Sequence, residues 1–362
     1  MSIEIMTKEQ LQQLLNTWYQ SILKQNFVQS KSLKKEIEEK ILHVEKDQNV
    51  TFYYALLTFR YQVLVDSLSI TSNSFDKIDS LTIPEDALLT HYYHLFKGIH
   101  LMYISNYSES KNHFEKAEKL LKHVPHALEH AEFNYRFAYL SYQSYKSLLA
   151  IDQVRLAIAE YEKHPGYEIC IALCENIFAM SCIDLRQFEQ AEESFTKALD
   201  VFKKSDIERF TLMVRNNLGL LYANQNLSES AIRHLSEVTK KSPNHFRAIY
   251  LEADEYLKQN EYKKAEILIE KGLHICNQLK NQEYQYRFLI LKEINTSTES
   301  LERAVLTGIS YFEKEELFDC IEEYTSRLAD KFYNASNHEK ASRYYHMSKE
   351  ARQKQLVKGA LK

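Results

Sequence analysis

The sequence predicts an all-α protein in which a small N-terminal helical bundle precedes a long array of helix pairs. Three observations carry this. The 362 residues include only 6 glycines and 4 prolines, far below average usage, so tight turns and hairpins are expected to be scarce. Apolar residues recur at helical spacing from the first segment onward. A large, small, large signature then returns at intervals along most of the chain. A chain this long, 44% hydrophobic and 27% charged, fills more than one core.

Thr7, Lys8, Glu9 and Gln10 have the form of a capping box, so a helix should start there. Leu11, Leu14, Leu15, Trp18 and Ile22 make its apolar stripe. Leu33, Ile37, Ile41 and Val44 mark a second, more charged helix. A third begins near Gln48 and carries Tyr53, Leu56, Leu57, Phe59 and Leu64. Three helices joined by short polar turns form a bundle in which each stripe is buried by the other two. This bundle is assigned to residues 1–68.

The texture changes between Ser67 and about Asp86, where SLSITSNSFDKIDSLTIPED is rich in serine and threonine and lacks periodicity. A linker is expected over residues 69–90. Pro84, Glu85 and Asp86 then open a helix, because proline fits a first turn and acids favour its positive end.

The repeat signature appears as Tyr107/Ser110/Phe114, Val154/Ala157/Tyr161, Phe188/Ala191/Phe195 and Tyr262/Ala265/Ile269, with weaker copies centred on Ala231, Ala304 and Ala341. The intervals from 157 to 191 and from 231 to 265 match the 34-residue tetratricopeptide period. A small residue lets two helices approach while its large neighbours fill adjoining grooves. Residues 91–362 are therefore expected to form a superhelix of about seven helix pairs, with a groove suited to an extended peptide.

Composition also excludes. A net charge of −4 offers no footprint for a polyanion, so direct nucleic-acid binding is not expected. No apolar run approaches a membrane span and the N-terminus lacks a signal-peptide pattern, which points to a cytoplasmic protein away from membranes. The five cysteines, 170, 174, 182, 276 and 320, are odd in number and lie in helical patterns, as packing thiols do. Cys170 and Cys174 are one turn apart but lack a second ligand pair. His123, His126 and His130 are interrupted by Pro125, which disfavours a metal site, and a solvated or interface role is expected for His91 and His94. No phosphate loop, nucleophile elbow or zinc-protease motif is present, so a self-contained active site is not expected.

What this composition explains poorly is the DQN triplet before the third helix, where glycine or serine would turn the chain as well. Trp18 with Tyr19, the EKDQN run from Glu45 to Asn49, and YYALLTFRYQ from Tyr53 resemble the Rap proteins of bacilli. These are response-regulator aspartate phosphatases and relatives inhibited by Phr signalling peptides. KHPGYEI around His164, DLRQFEQA from Asp184 and NNLGLLY from Asn216 extend the resemblance into the repeats.

The resemblance implies that Gln48 enters a regulator's phosphorylation pocket and orients water for attack on the aspartyl phosphate. A carboxamide suits this, since its oxygen accepts from water while its NH2 donates to a phosphoryl oxygen. The target's own Mg and acids would supply the rest, so no cofactor belongs to this chain. Glu45, Asp47, Thr51 and Phe59 stand at positions implied to hold the receiver domain of the regulator. Lys46 departs from the usual acid and Thr51 from the usual leucine. Asp184 and Asn217 match positions implied to bind a short Phr-like peptide, the acid facing a basic side chain and the amide bridging peptide backbone. Relatives that only sequester a DNA-binding regulator also carry the glutamine. The alternatives are therefore sequestration without chemistry, or an adaptor of the chaperone-associated type.

Overall fold

The computed structural model describes residues 7–43, 47–104 and 106–360, and these are helical throughout, with no strand. The bundle consists of α1 (Lys8–Leu23), α2 (Phe27–Lys40) and α3 (Gln48–Val65). The expected capping box is present: Thr7 Oγ1 accepts from Gln10 N while Gln10 Oε1 accepts from Thr7 N. Leu11, Leu15, Trp18 and Ile22 are fully buried, as are Leu56 and Leu57 of α3. Val44, expected in the second stripe, lies outside the described residues.

Residues 67–86 include a short helix, α4 (Asp76–Asp79), and are anchored by buried Phe75 and Ile78. Seven helix pairs follow, the number expected from the sequence. They are α5 (Ala87–Tyr103) with α6 (Tyr107–Leu120), α7 (Ala127–Gln143) with α8 (Ser147–Tyr161), and α9 (Glu168–Asp184) with α10 (Phe188–Lys204). Then come α11 (Glu208–Asn224) with α12 (Ser228–Lys241), α13 (Phe246–Lys258) with α14 (Tyr262–Leu279), α15 (Gln282–Glu293) with α16 (Thr298–Lys314), and α17 (Phe318–Asn334) with α18 (His338–Ala360). The chain divides into two compact units, residues 1–181 and 182–362, with α9 passing from one to the next.

The repeat register differs from the sequence expectation at two pairs. The buried small residue stands at the fourth position of the second helix: Ser110 in α6, Ala150 in α8, Ala191 in α10, Ala231 in α12, Ala265 in α14 and Ala341 in α18. Ala150, not Ala157, is thus the equivalent residue, and the 34-residue interval from 157 joins non-equivalent positions. Ala150, Val154 and Ala157 all lie on one buried stripe, so spacing alone could not choose between the alanines. In α16 the position belongs to buried Leu301, and Ala304 is only partly buried.

Turns are also tighter than the glycine count implies. Gln25, Tyr145, Arg186, Asp206, Asn226, Asn260, Lys280, Glu316 and Ser336 adopt left-handed backbone, each two residues before the next helix. Glycine would avoid the strain of about 1–2 kcal/mol that a side chain meets there. Glycine serves instead where helices touch: a Cβ on Gly272 would lie 2.1 Å from the Phe288 ring. All five cysteines are free and buried, and no helix among the described residues is long and apolar enough to cross a membrane.

Candidate functional site: the α3 amide and the seam beneath it

The chain enters α3 through Asp47, whose extended backbone (φ −113°, ψ 132°) and side chain form the N-cap. Its Oδ1 accepts from Val50 N at 3.0 Å, satisfying an amide that the first helical turn cannot. Its Oδ2 accepts from Lys8 Nζ at 2.5 Å, so the first residue of α1 is tied to the cap of α3. The Lys8 hydrogen bond, then the Val50 amide, hold this carboxyl below the usual carboxylate range.

Gln48 is the first residue of α3 and is exposed. Its carboxamide therefore starts from a braced backbone position and faces solvent. Thr51, one turn on, is also exposed and donates to Asp47 O at 2.8 Å. Val50, Phe52 and Tyr53 are buried, which sets the facing of the helix and leaves the polar positions outward. Glu45 lies outside the described residues.

Phe59 is covered in this structure. The resemblance implies an apolar contact with a regulator, yet Phe59 is 2% exposed. Its ring meets Phe75 edge-on at 4.9 Å and His100 at 5.9 Å. Phe75, from the segment expected as a linker, also stacks on His100 at 5.5 Å and carries Lys97 over its face at 5.0 Å. In this arrangement the 67–86 segment covers Phe59.

Within the first unit the bundle packs against the first helices of consecutive pairs. Tyr92 of α5 stacks on Tyr53 at 5.7 Å and meets Tyr19 edge-on at 5.2 Å, and its hydroxyl donates to Glu129 Oε2 at 2.7 Å. Arg60 of α3 donates to Glu132 of α7 at 2.6 Å. Cys170 of α9 donates its thiol to Leu23 O at 3.1 Å. Burial, then the neighbouring Arg136 charge, lower the Arg60 guanidinium from its ordinary value. These pairings join residues 72 and 147 positions apart and left no local signal in the sequence.

The two residues proposed for a peptide stand in the second unit's part of the chain. Asp184 is the exposed last residue of α9. Asn217 lies within α11, half-buried, its Oδ1 accepting from Asn216 Nδ2 at 3.3 Å. Both thus belong to first helices of consecutive pairs. Further along the same set of helices is a network that sequence reasoning missed. Tyr250 of α13 and Tyr324 of α17 share a hydroxyl contact at 2.7 Å, and Arg287 of α15 donates to the Tyr324 hydroxyl at 3.1 Å. Arg327 grips Asp254 with two bonds of 2.7 Å. These bonds span one to two repeats, which suits a brace.

Three of the histidines singled out in the sequence have protein partners. His91 is buried with Nδ1 at 2.8 Å from Ala117 O, which corrects the expectation of a solvated or interface role. His94 is half-buried with Nδ1 at 3.1 Å from His113 Nδ1. His130 pairs with Val124 O. Among the described residues no three histidine, cysteine or acidic side chains converge as a metal site would require.

Residues 5–66 match the family described as response regulator aspartate phosphatase H, N terminal. That match spans the bundle and its Gln48 elbow. Over 359 residues the chain is 27% identical to response regulator aspartate phosphatase I of Bacillus subtilis (strain 168), covering 96% of this chain and 91% of that protein. Among solved structures, a Rap protein complexed with competence and sporulation factor superposes with a TM-score of 0.85 at 21% identity, covering 97% of this chain and 99% of the other. The apo form of RapI superposes at 0.66 with 27% identity, covering 95% and 98%. A bundle with this elbow, seven helix pairs and similarity along almost the whole length point the same way: the chain is similar to the Rap proteins from end to end, and its bundle matches the N-terminal family model.

Proposed function

We propose that this protein binds the receiver domain of a bacterial response regulator and hydrolyses its aspartyl phosphate, and that a short Phr-like peptide held by the repeats turns this activity off. The observation that carries the reading is the position of Gln48, solvent-facing at the first turn of α3 on a backbone braced by Asp47 and Lys8. It rests equally on relatives named for that phosphatase activity.

The chemistry follows from the amide. Gln48 Oε1 accepts a hydrogen bond from water and aims the water oxygen at phosphorus, opposite the aspartyl oxygen. The new oxygen–phosphorus bond forms as the bond to the aspartyl oxygen breaks, and the aspartate leaves as carboxylate. The water's proton passes to the phosphoryl group or to solvent, and inorganic phosphate is released. Gln48 Nε2–H donates to a phosphoryl oxygen, and the N-terminal end of α3 contributes fixed positive potential where negative charge accumulates. A metal ion in the regulator's own pocket belongs to the substrate.

The peptide's action is read from the covered state of the bundle. With Phe59 beneath Phe75 and α3 seated on α5 and α7, part of the implied regulator-binding surface is closed. A peptide binding this arrangement more tightly than a released one shifts the population toward it, and the coupling is reciprocal. Asp184 would face a basic peptide side chain, and Asn217 would bridge peptide backbone.

The test uses a phosphorylated receiver domain in excess over the full chain. Multiple turnovers are expected, and Gln48→Ala should slow phosphate release by about 100-fold with receiver binding retained. Stoichiometric binding without release would replace catalysis with sequestration. Equal rates for variant and parent would remove Gln48 from the reaction.

A further inference from the structure

One ion pair crosses the seam between bundle and repeats with both partners withdrawn from solvent. Arg60 Nη2 donates to Glu132 Oε1 at 2.6 Å, and the side chains are 1% and 2% exposed. The same oxygen accepts from Arg136 Nε at 2.7 Å. Tyr161 reaches the other carboxylate oxygen only at 3.5 Å. Among the described residues Arg60 Nε and Nη1 have no acceptor, and the guanidinium faces the Phe96 ring at 5.4 Å. Two cations thus lean on one carboxylate. The nearby buried acid, Glu129, is engaged by the Tyr92 hydroxyl.

This geometry has opposite consequences for the two partners. Removing Glu132 leaves Arg60 as an unpaired buried charge, which costs several kcal/mol in comparable sites. Replacing Arg60 by an apolar residue of similar length removes a cation whose desolvation is only partly compensated and strands no charge, because Glu132 keeps its bond from Arg136; this is the condition under which apolar replacement of buried ionic groups is neutral or stabilising. If α3 lifts from α7, Arg60 regains water, whereas Glu132 keeps Arg136 four residues along its own helix.

We infer that Arg60 is a positioning residue for the bundle, admitting α3 to α7 only through Glu132 while its incompletely partnered burial holds the docked arrangement close in energy to a released one. The inference rests on the reading that the bundle exchanges between these arrangements. It assigns the balance to one salt bridge. A regulating peptide then needs only a modest difference in affinity to tip the population.

Cys170 reports the seam independently of regulator or phosphate. Its thiol is 4% exposed and donates to Leu23 O, so alkylation requires α1 to move away. The full-length chain is treated with N-ethylmaleimide, and modification of Cys170 is followed by peptide mass spectrometry, with Cys320 of the second unit as the control for general unfolding. Glu132→Gln should speed Cys170 labelling at least about tenfold with Cys320 unchanged. Arg60→Met should slow it at least about fivefold below the parent. Should Glu132→Gln also expose Cys320, the Arg60→Met/Glu132→Met pair decides, with labelling slower than parent expected. Parental labelling rates in Arg60→Met, or faster labelling there, would overturn the inference. Because no phosphoryl transfer enters the assay, a failed Gln48 experiment and a failed seam experiment are distinguishable.

Discussion

Lys8 Nζ lies 2.5 Å from Asp47 Oδ2, so the first turn of α1 holds the residue that caps α3 and precedes Gln48. The pair is partly exposed, with side chains 56% and 26% accessible, and such pairs contribute at most about 1 kcal/mol. The cap itself is worth about 1 kcal/mol more, through the Val50 amide. Asp47→Ala should therefore destabilise the protein more than Lys8→Ala, which should shift stability by under about 1 kcal/mol. Chemical denaturation followed by helical ellipticity checks the order. A larger loss for Lys8→Ala would mean that the cap is not what holds this turn.

The edge-on contact of Phe59 with Phe75 yields a second prediction. Phe75→Ala should cost about 3 kcal/mol of local stability through the cavity it leaves, and should uncover Phe59. Receiver-domain affinity, measured by surface plasmon resonance, should rise in Phe75→Ala and fall in Phe59→Ala. Unchanged affinity in both would assign Phe59 to the core alone.

In the repeats, Asp184→Ala should weaken a basic inhibitory peptide by about tenfold, corresponding to about 1.4 kcal/mol. Asn217→Ala should weaken it comparably, through two lost backbone bonds. Calorimetry with the full chain reads both. Parental affinity in the two variants would move the peptide site elsewhere along the first helices of the pairs.

Acid should destabilise the protein before its surface carboxylates are protonated. Burial pushes His91, His94, His113 and His234 down to about 4 from an ordinary value of 6.5. The unfolded chain binds these protons first, so their contribution to stability is fully present above pH 6.5 and is lost as pH falls toward 4. Solvent screening reduces the shares of half-exposed His94 and His113. Glu129 and Glu252, raised by burial, act in the opposite sense, losing stability as pH rises. The denaturation midpoint should drop between pH 7 and pH 4.5, and His91→Gln should flatten that slope. A flat profile over the same interval would contradict the buried neutral imidazoles.

Much of this architecture was legible in local sequence. The capping box at Thr7, the stripe through Trp18 and the small residues Ala191 and Ala265 each depend on neighbours within two helical turns, so the pattern itself carries the information. The register at Ala150 was not, because Ala157 satisfies the same spacing and only the packing partner distinguishes them. The turns were misjudged for a related reason: Asn226, Asn260 and their counterparts accept left-handed backbone when flanking helices hold them there.

By itself, then, the chain determined its helices, their pairing into repeats and the polar elbow that sets Gln48 at the start of α3, since capping and periodicity act over a few residues. Tertiary structure alone decided that Phe59 is covered by Phe75 and that Arg60 meets Glu132. Those contacts join residues 16 and 72 positions apart. Whether a side chain is surface or core at such distances depends on which helices come together, and hydrophobic burial, being non-directional, writes no partner into either local sequence.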